Sequence, residues 1–207
     1  LLVATEEWHV AHPEAVADEK VIVTDDELTR ASFLKTPQEV MALFGYGDEG
    51  VCDFSLPLNE LCLALDDVQD PGNLGTIIRL ADWFGIEDIF CSLGTVDVYN
   101  PKTIQATMGA LARVKLHYCD LPSFIASLKD IPVYGTFLDG DNMYEKELTP
   151  HGLIVMGNEG NGVSAEVANL VNERLYIPNY PPQRETSESL NVAMATGIIC
   201  AEFRRRM

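Results

Sequence analysis

Leu61-Cys62-Leu63-Ala64-Leu65-Asp66-Asp67-Val68-Gln69-Asp70-Pro71-Gly72-Asn73-Leu74-Gly75-Thr76-Ile77-Ile78-Arg79 is the stretch from which the fold can be read. Its first five residues form an apolar run with no polar face, the pattern of a strand covered on both sides in a parallel sheet. Asp70-Pro71-Gly72-Asn73 then supplies turn chemistry, with Asn73 suited to cap a helix. From Leu74 to Phe84 the spacing is helical, and Asn73, Thr76 and Arg79 can share one face. Alone, this segment reads more readily as a capped helix bearing one solvated arginine than as a functional site.

Working outward, the same alternation recurs. Ile89–Cys91, Val114–Tyr118, Val133–Thr136, Leu153–Met156 and Leu175–Ile177 have strand length and composition. Helices are predicted over Lys102–Ala112, Pro122–Lys129, Ser164–Val171 and Leu190–Arg206. Strands alternating with helices predict an α/β fold with a mostly parallel sheet flanked by helices. The stretch from Leu190 to Cys200 contains no charged residue and is rich in small side chains, so that helix is expected to be buried nearly all round. Arg204-Arg205-Arg206 suits the negative pole at its end.

Upstream, a strand at Leu1–Ala4, a helix at Glu6–Val10, a strand at Val21–Val23 and a short helix at Asp25–Arg30 make part of a layered unit. Thr36-Pro37-Gln38-Glu39 matches a capping box, yet Val40–Phe44 fits a strand equally well. Glycines, acids and a proline across 47–58 have linker composition, which predicts domains at 1–46 and 59–207.

Composition sets limits. The chain has 207 residues, 47% of them hydrophobic, and no apolar run approaches the roughly 20 residues needed to span a bilayer. Cysteines at 52, 62, 91, 119 and 200 include no CxxC pair and no histidine at zinc-ligand spacing, so free thiols in a reducing cytoplasm and no metal are expected. The net charge of −18 argues against a polyanionic partner and, by itself, for a small-molecule enzyme. Acids outnumber bases 11 to 3 in residues 1–50 and 21 to 11 in residues 51–207. If RNA binds, the few bases must cluster, with Arg79, Lys102, Arg113, Lys115 and Arg184 as candidates. Ser32-Phe33-Leu34-Lys35 matches SxxK without its partner motifs, a chance match.

Two further segments carry chemistry. Leu153-Ile154-Val155-Met156 runs into Gly157-Asn158-Glu159-Gly160-Asn161-Gly162, a GxxGxG loop rather than the dinucleotide GxGxxG, where backbone can approach a ligand. Leu175-Tyr176-Ile177-Pro178 ends a strand before a loop that enters the last helix, with Ser189 at its N-cap and Asn191 just inside. Ligands of open α/β sheets bind beyond the carboxyl ends of strands, where all three segments converge.

In that order, Asn73-x-Gly75-x-x-x-Arg79, Gly157-Asn158-Glu159-Gly160-x-Gly162, and Ile177-Pro178 with Ser189-Leu190-Asn191-Val192 are similar to the three successive motifs of the SpoU (TrmH) RNA methyltransferases of the SPOUT superfamily. The resemblance covers residues 60–207. It implies a C-terminal trefoil knot, a homodimer, and transfer of methyl from S-adenosylmethionine to a ribose 2′-hydroxyl of tRNA or rRNA. It also implies a catalytic group of Asn73, Arg79, Glu159, Ser189 and Asn191. Cofactor contacts would come from Thr136, Leu138, Met156, Gly157, Asn158, Gly160, Ile177, Pro178 and Leu190. Ala193 stands where many members have a second serine. Residues 1–46 resemble the later half of a small RNA substrate-binding domain, truncated at its N-terminus. The alternative is a non-catalytic RNA- or ribosome-binding member of the same fold.

Overall fold

The computed structural model describes residues 1–34, 36–46, 52–181, 184 and 189–206. Lys35 of the SxxK match and the Asp48-Glu49 pair lie outside them. The chain divides into two compact units, Leu1–Val51 and Cys52–Met207.

In the first unit, β1 (Leu2–Ala4) is central, paired in parallel with β2 (Lys20–Ile22) and antiparallel with β3 (Val40–Ala42). Helix α1 (Glu6–Ala11) starts at Thr5, whose hydroxyl accepts from Trp8 N–H at 3.2 Å. Helix α2 (Asp25–Ala31) opens on a full capping box: Thr24 Oγ1 accepts from Glu27 N–H, and Glu27 Oε2 accepts from Thr24 N–H. The similar Thr36–Glu39 pattern opens no helix. Val40–Ala42 finds a strand partner in β1, and that pairing settles the ambiguity.

The second unit holds a six-stranded parallel sheet in the order β6-β5-β4-β8-β7-β9. Its strands are β4 (Leu61–Leu65), β5 (Asp88–Ser92), β6 (Lys115–Cys119), β7 (Val133–Asn142), β8 (Gly152–Met156) and β9 (Glu173–Tyr176). Every residue of the central strands β4 and β8 is buried. Alternate residues feed two cores, as the strand period of two requires. Leu61, Leu63, Leu65, Ile154 and Met156 pack toward α3 (Pro71–Trp83) and α7 (Val192–Arg205). Cys62, Ala64, Leu153 and Val155 pack with Phe90, with Leu121, Phe124 and Ile125 of α5 (Leu121–Ser127), and with Val167 of α6 (Ala165–Ala168). The five cysteines are free thiols, and burial raises the Cys62 thiol to about 12.

Four sequence expectations are corrected. The helix predicted over Lys102–Ala112 is interrupted: α4 (Pro101–Thr107) stops at Met108 (φ 51°) and Gly109 (φ 87°), and Ala110–Ala112 forms a separate tight turn. The predicted linker ends early. Cys52 and Leu56 pack on the second core, Pro57 is buried, and the Phe54 ring lies 5.2 Å from that of Phe124, so the second unit begins at Cys52. Residues 47–51 of that linker are outside the described ones. The cap of α3 is Asp70, whose carboxylate accepts from Asn73 N–H at 2.8 Å, which frees the Asn73 side chain.

The last correction concerns α7. It is not buried all round: Val192, Thr196, Ile199, Cys200 and Phe203 face the core, whereas Met194 is 63% exposed. It runs parallel to α3. Asn191 reaches Asn73 near the start of both helices, Gly197 passes Leu80, and Arg204 donates to the carbonyls of Phe84 and Gly85 at the far end.

Candidate active site

Because the six strands are parallel, their carboxyl ends share one edge, and every segment singled out for chemistry emerges there. Strand β4 leads into the Asp66–Asn73 turn, β8 into the glycine loop and β9 into Ile177-Pro178, while β7 leaves its regular register at residues 137–140.

The first two loops are tied to each other. Asp66, 6% exposed, accepts from Ser164 N–H at 2.7 Å and donates its own N–H to the Met156 carbonyl at 2.9 Å. Asp67, in the left-handed region (φ 60°), takes the Asn158 amide on its carbonyl at 2.7 Å and gives its N–H to Ser92 Oγ at 2.8 Å. Sequence reasoning gave neither aspartate a role. Their signal is only a pair of acids straight after a buried strand, which is also the pattern of an ordinary solvated turn.

The glycine loop folds on itself. Asn158 and Gly162 exchange both backbone hydrogen bonds at 2.9 Å, and Asn158 Oδ1 accepts from the N–H groups of Gly160 and Asn161. A Cβ at Gly157 would sit 2.2 Å from the Gly162 carbonyl carbon, so only glycine admits this closure. The Asn158 side chain is thus committed to the protein, and a ligand here meets backbone.

Three predicted catalytic residues come together as a relay. Asn191 caps α7, its Oδ1 accepting from Ala193 N–H (3.0 Å) and Met194 N–H (3.2 Å). That fixes its amide orientation, and its Nδ2 donates to Asn73 Oδ1 at 3.0 Å. Asn73 in turn donates to Glu159 Oε1 at 2.8 Å. The chain runs in one direction and ends on a carboxylate, so each amide is oriented by its neighbour.

Arg79 shares the exposed stripe of α3 with Thr76 and Trp83, and Asn73 lies half-buried at its start. It makes no hydrogen bond or ion pair among the described residues, and its guanidinium is available to a ligand. Ser189 is placed differently from the expectation: Asn191, not Ser189, caps the helix, and the exposed Ser189 joins no relay among the described residues.

Of the expected cofactor residues, Met156 and Gly157 are buried at the end of β8, and Ile177 packs half-buried against the core. Leu138 and Leu190 expose apolar surface, 74% and 50%. Thr136 ends the first half of β7, Pro178 follows β9 half-buried, and Gly160 is exposed at the loop tip. No group of three or more His, Cys, Asp or Glu among the described residues could hold a metal ion.

The basic residues divide between the two edges, which corrects the expectation of a single strip. Lys102 lies in the first turn of α4, beyond the carboxyl end of β5, beside the site's edge. Lys115 opens β6 in register with Asp88 of β5, at the opposite, amino edge of the sheet, and Arg113 is held there in a two-pronged pair with Asp82 at 2.8 Å. The guanidinium keeps the Asp82 carboxyl below its ordinary range. Arg184 is exposed.

Residues 60–201 match the model of the SpoU rRNA Methylase family. The chain is 33% identical over 186 residues to the 23S rRNA (guanosine(2553)-2′-O)-methyltransferase RlmP of Bacillus subtilis, covering 88% of this chain and 71% of that protein. It is 28% identical over 152 residues to the 23S rRNA (guanosine-2′-O-)-methyltransferase RlmB of Neisseria meningitidis, covering 70% of this chain and 58% of that one. Among solved structures, an RNA methyltransferase of the TrmH family from Porphyromonas gingivalis superposes with a TM-score of 0.86 at 42% identity, over 100% of this chain and 82% of that one. The SpoU methyltransferase AviRb of Streptomyces viridochromogenes, solved with AdoMet, gives 0.82 at 25% identity, over 99% and 82%. The chain belongs to the SpoU family of S-adenosylmethionine-dependent RNA ribose methyltransferases.

Proposed function

We propose that this chain methylates a ribose 2′-hydroxyl of ribosomal RNA at the carboxyl edge of the six-stranded sheet. The observation that carries the reading is the oriented Asn191–Asn73–Glu159 relay on the same edge as an arginine with no described partner. The names of the relatives support ribosomal over transfer RNA as the substrate.

The residues present fit S-adenosylmethionine. Leu138, Ile177 and Leu190 offer apolar faces to an adenine, and the closed Gly157–Gly162 loop offers backbone polar groups. When bound, that cofactor supplies an electrophilic methyl on a sulfonium sulfur. Arg79 holds the phosphate next to the target ribose and stabilises the oxyanion that develops at O2′. A guanidinium stays protonated at neutral pH, so the hydroxyl proton passes to an RNA phosphate or water rather than to Arg79. Asn73, held by Asn191 and Glu159, orients the ribose. Ser189 is the remaining family-implied polar group, and its hydroxyl would serve once RNA fills the edge. Mapping 2′-O-methylation in ribosomal and transfer RNA from cells with and without the gene tests the assignment. A missing ribosomal mark is expected, and unchanged ribosomal RNA would overturn it.

The finer architecture belongs to the same reading. The C-terminal part of the sheet is threaded into a trefoil knot, the first unit binds RNA substrate, and the protein works in the cytoplasm. A second copy covers the outer stripe of α7, where Met194, Ile198 and Ala201 leave an uncharged strip beside α3. Light scattering should give twice the 22.8 kDa chain mass, and a monomer at micromolar concentration would refute the pairing.

A further inference from the structure

Strand β7 does not run evenly along β9. Thr136 and Asp141 both pair with Leu175, so residues 137–140 leave the ladder and return to the same rung. The excursion carries Leu138, 74% exposed, the apolar side chain that the proposed function assigns to the cofactor. A four-residue excursion of this kind has no ladder hydrogen bonds of its own, so side chains must fix its shape.

One side chain does so from β9. The Arg174 guanidinium carbon lies 3.5 Å from the centroid of the Phe137 ring, and its Nη2 donates to Asp139 Oδ1 at 2.7 Å. Phe137 and Asp139 flank Leu138 on either side in sequence. The Phe137 ring can fold back over its own strand because residue 135 is glycine: a Cβ there would lie 2.5 Å from Phe137 Cε2. At the return, a Cβ on Gly140 would meet the Leu175 backbone at 2.6 Å, so that end lies flush on β9. Arg174 keeps the Asp139 carboxyl below its ordinary range, consistent with a formed pair.

We infer that Arg174 is a positioning residue: by stacking on Phe137 and pairing with Asp139 it sets the excursion so that Leu138 faces the cofactor site. This rests on the proposed cofactor reading. A planar guanidinium does both tasks at once, stacking through its face and donating through its edge, whereas a lysine ammonium keeps charge without the fork.

The test is calorimetric titration of the full chain with S-adenosylhomocysteine, alongside amide hydrogen exchange. Arg174→Leu should weaken binding about tenfold, Arg174→Lys less, and exchange at 136–141 should accelerate with the thermal midpoint little changed. Asp139→Asn, at a site 78% exposed and so harmless to folding, should weaken binding about threefold. With saturating cofactor, kcat should stay near the unaltered value while the cofactor KM rises. Unchanged affinity and unchanged exchange in Arg174→Leu and Asp139→Asn would overturn the role of Arg174. Failure of the unaltered chain to bind S-adenosylhomocysteine would instead overturn the cofactor reading on which it stands.

Discussion

The two edges of the six-stranded sheet treat charge in opposite ways. At the amino edge arginines are spent on the protein itself: Arg113 grips Asp82, and Arg204 donates to the carbonyls of Phe84 and Gly85. At the carboxyl edge the polar side chains are wired to one another through Asn191, Asn73 and Glu159, while Arg79 stands among the described residues with no partner. A bonded arginine staples structure, and an unbonded one on a rigid helix face is held ready for a ligand. Sequence alone does not separate the two kinds, because both are single arginines on or beside helices.

The most severe way to break this contrast is Arg79→Ala. Methyl transfer should fall about a thousandfold in kcat/KM with S-adenosylhomocysteine affinity unchanged, since the side chain acts on the transition state. A parallel loss of cofactor affinity, read by calorimetry, would place Arg79 on the wrong ligand. Asn73→Ala should lower kcat about a hundredfold, because it cuts the relay in the middle and leaves Glu159 and Asn191 to reorient. If its rate matched the unaltered enzyme, the relay would be a helix-packing device only.

A third test concerns the far end of α7, where Glu202 is 6% exposed between Arg205 and Arg206. Arg206 also donates to the carbonyls of Met143, Tyr144 and Lys146, so Glu202 underlies a clasp on that segment. Hydrogen bonding from Arg205 holds the Glu202 carboxyl at about 2, below its ordinary 4.5. A carboxyl lowered on folding stabilises above its unfolded pKa and loses that contribution as pH falls through its folded one. Glu202→Gln should therefore destabilise by about 2 kcal/mol at neutral pH, and urea melts should show the gap closing as pH falls below about 4.5. A gap that does not depend on pH would show that the charge is irrelevant to the clasp. The smallest effect is expected at the amino edge: Arg113→Ala, in an exposed and solvent-screened pair, should leave the urea midpoint nearly unchanged and methylation intact. A methylation defect there would dissolve the contrast between the edges.

Much of this was legible in the residues, and the failures have physical causes. Leu61–Leu65 is a strand at both its predicted ends because turn residues bound a run with no polar face. Caps were misread at Asn73 and Ser189 because Asp, Asn and Ser occur at neighbouring positions and each satisfies the same local rule. Pro71 at the first helical position moves the cap to Asp70, and Asn191 takes the second cap with two backbone donors. The interrupted α4 turned on a left-handed Met108, which no propensity anticipates. The pairing of β4 with β8 joins segments some ninety residues apart, and the lateral order of strands is set by packing that local pattern does not encode. The individual site loops were recognisable, but not their ties through Asp66 and Asp67, which depend on that order.

The side-by-side course of α3 and α7 bears on how so acidic a chain holds carboxylates at one edge. Packed helices in many folds run antiparallel, and their end charges then cancel. Here both start at the carboxyl edge of the sheet, with Asn73 and Asn191 in contact, and both finish near Gly85. Each presents roughly half an elementary positive charge at its start. The fold thus turns two aligned backbones toward one edge, where their positive ends meet the carboxylates of Asp70 and Glu159 instead of cancelling each other.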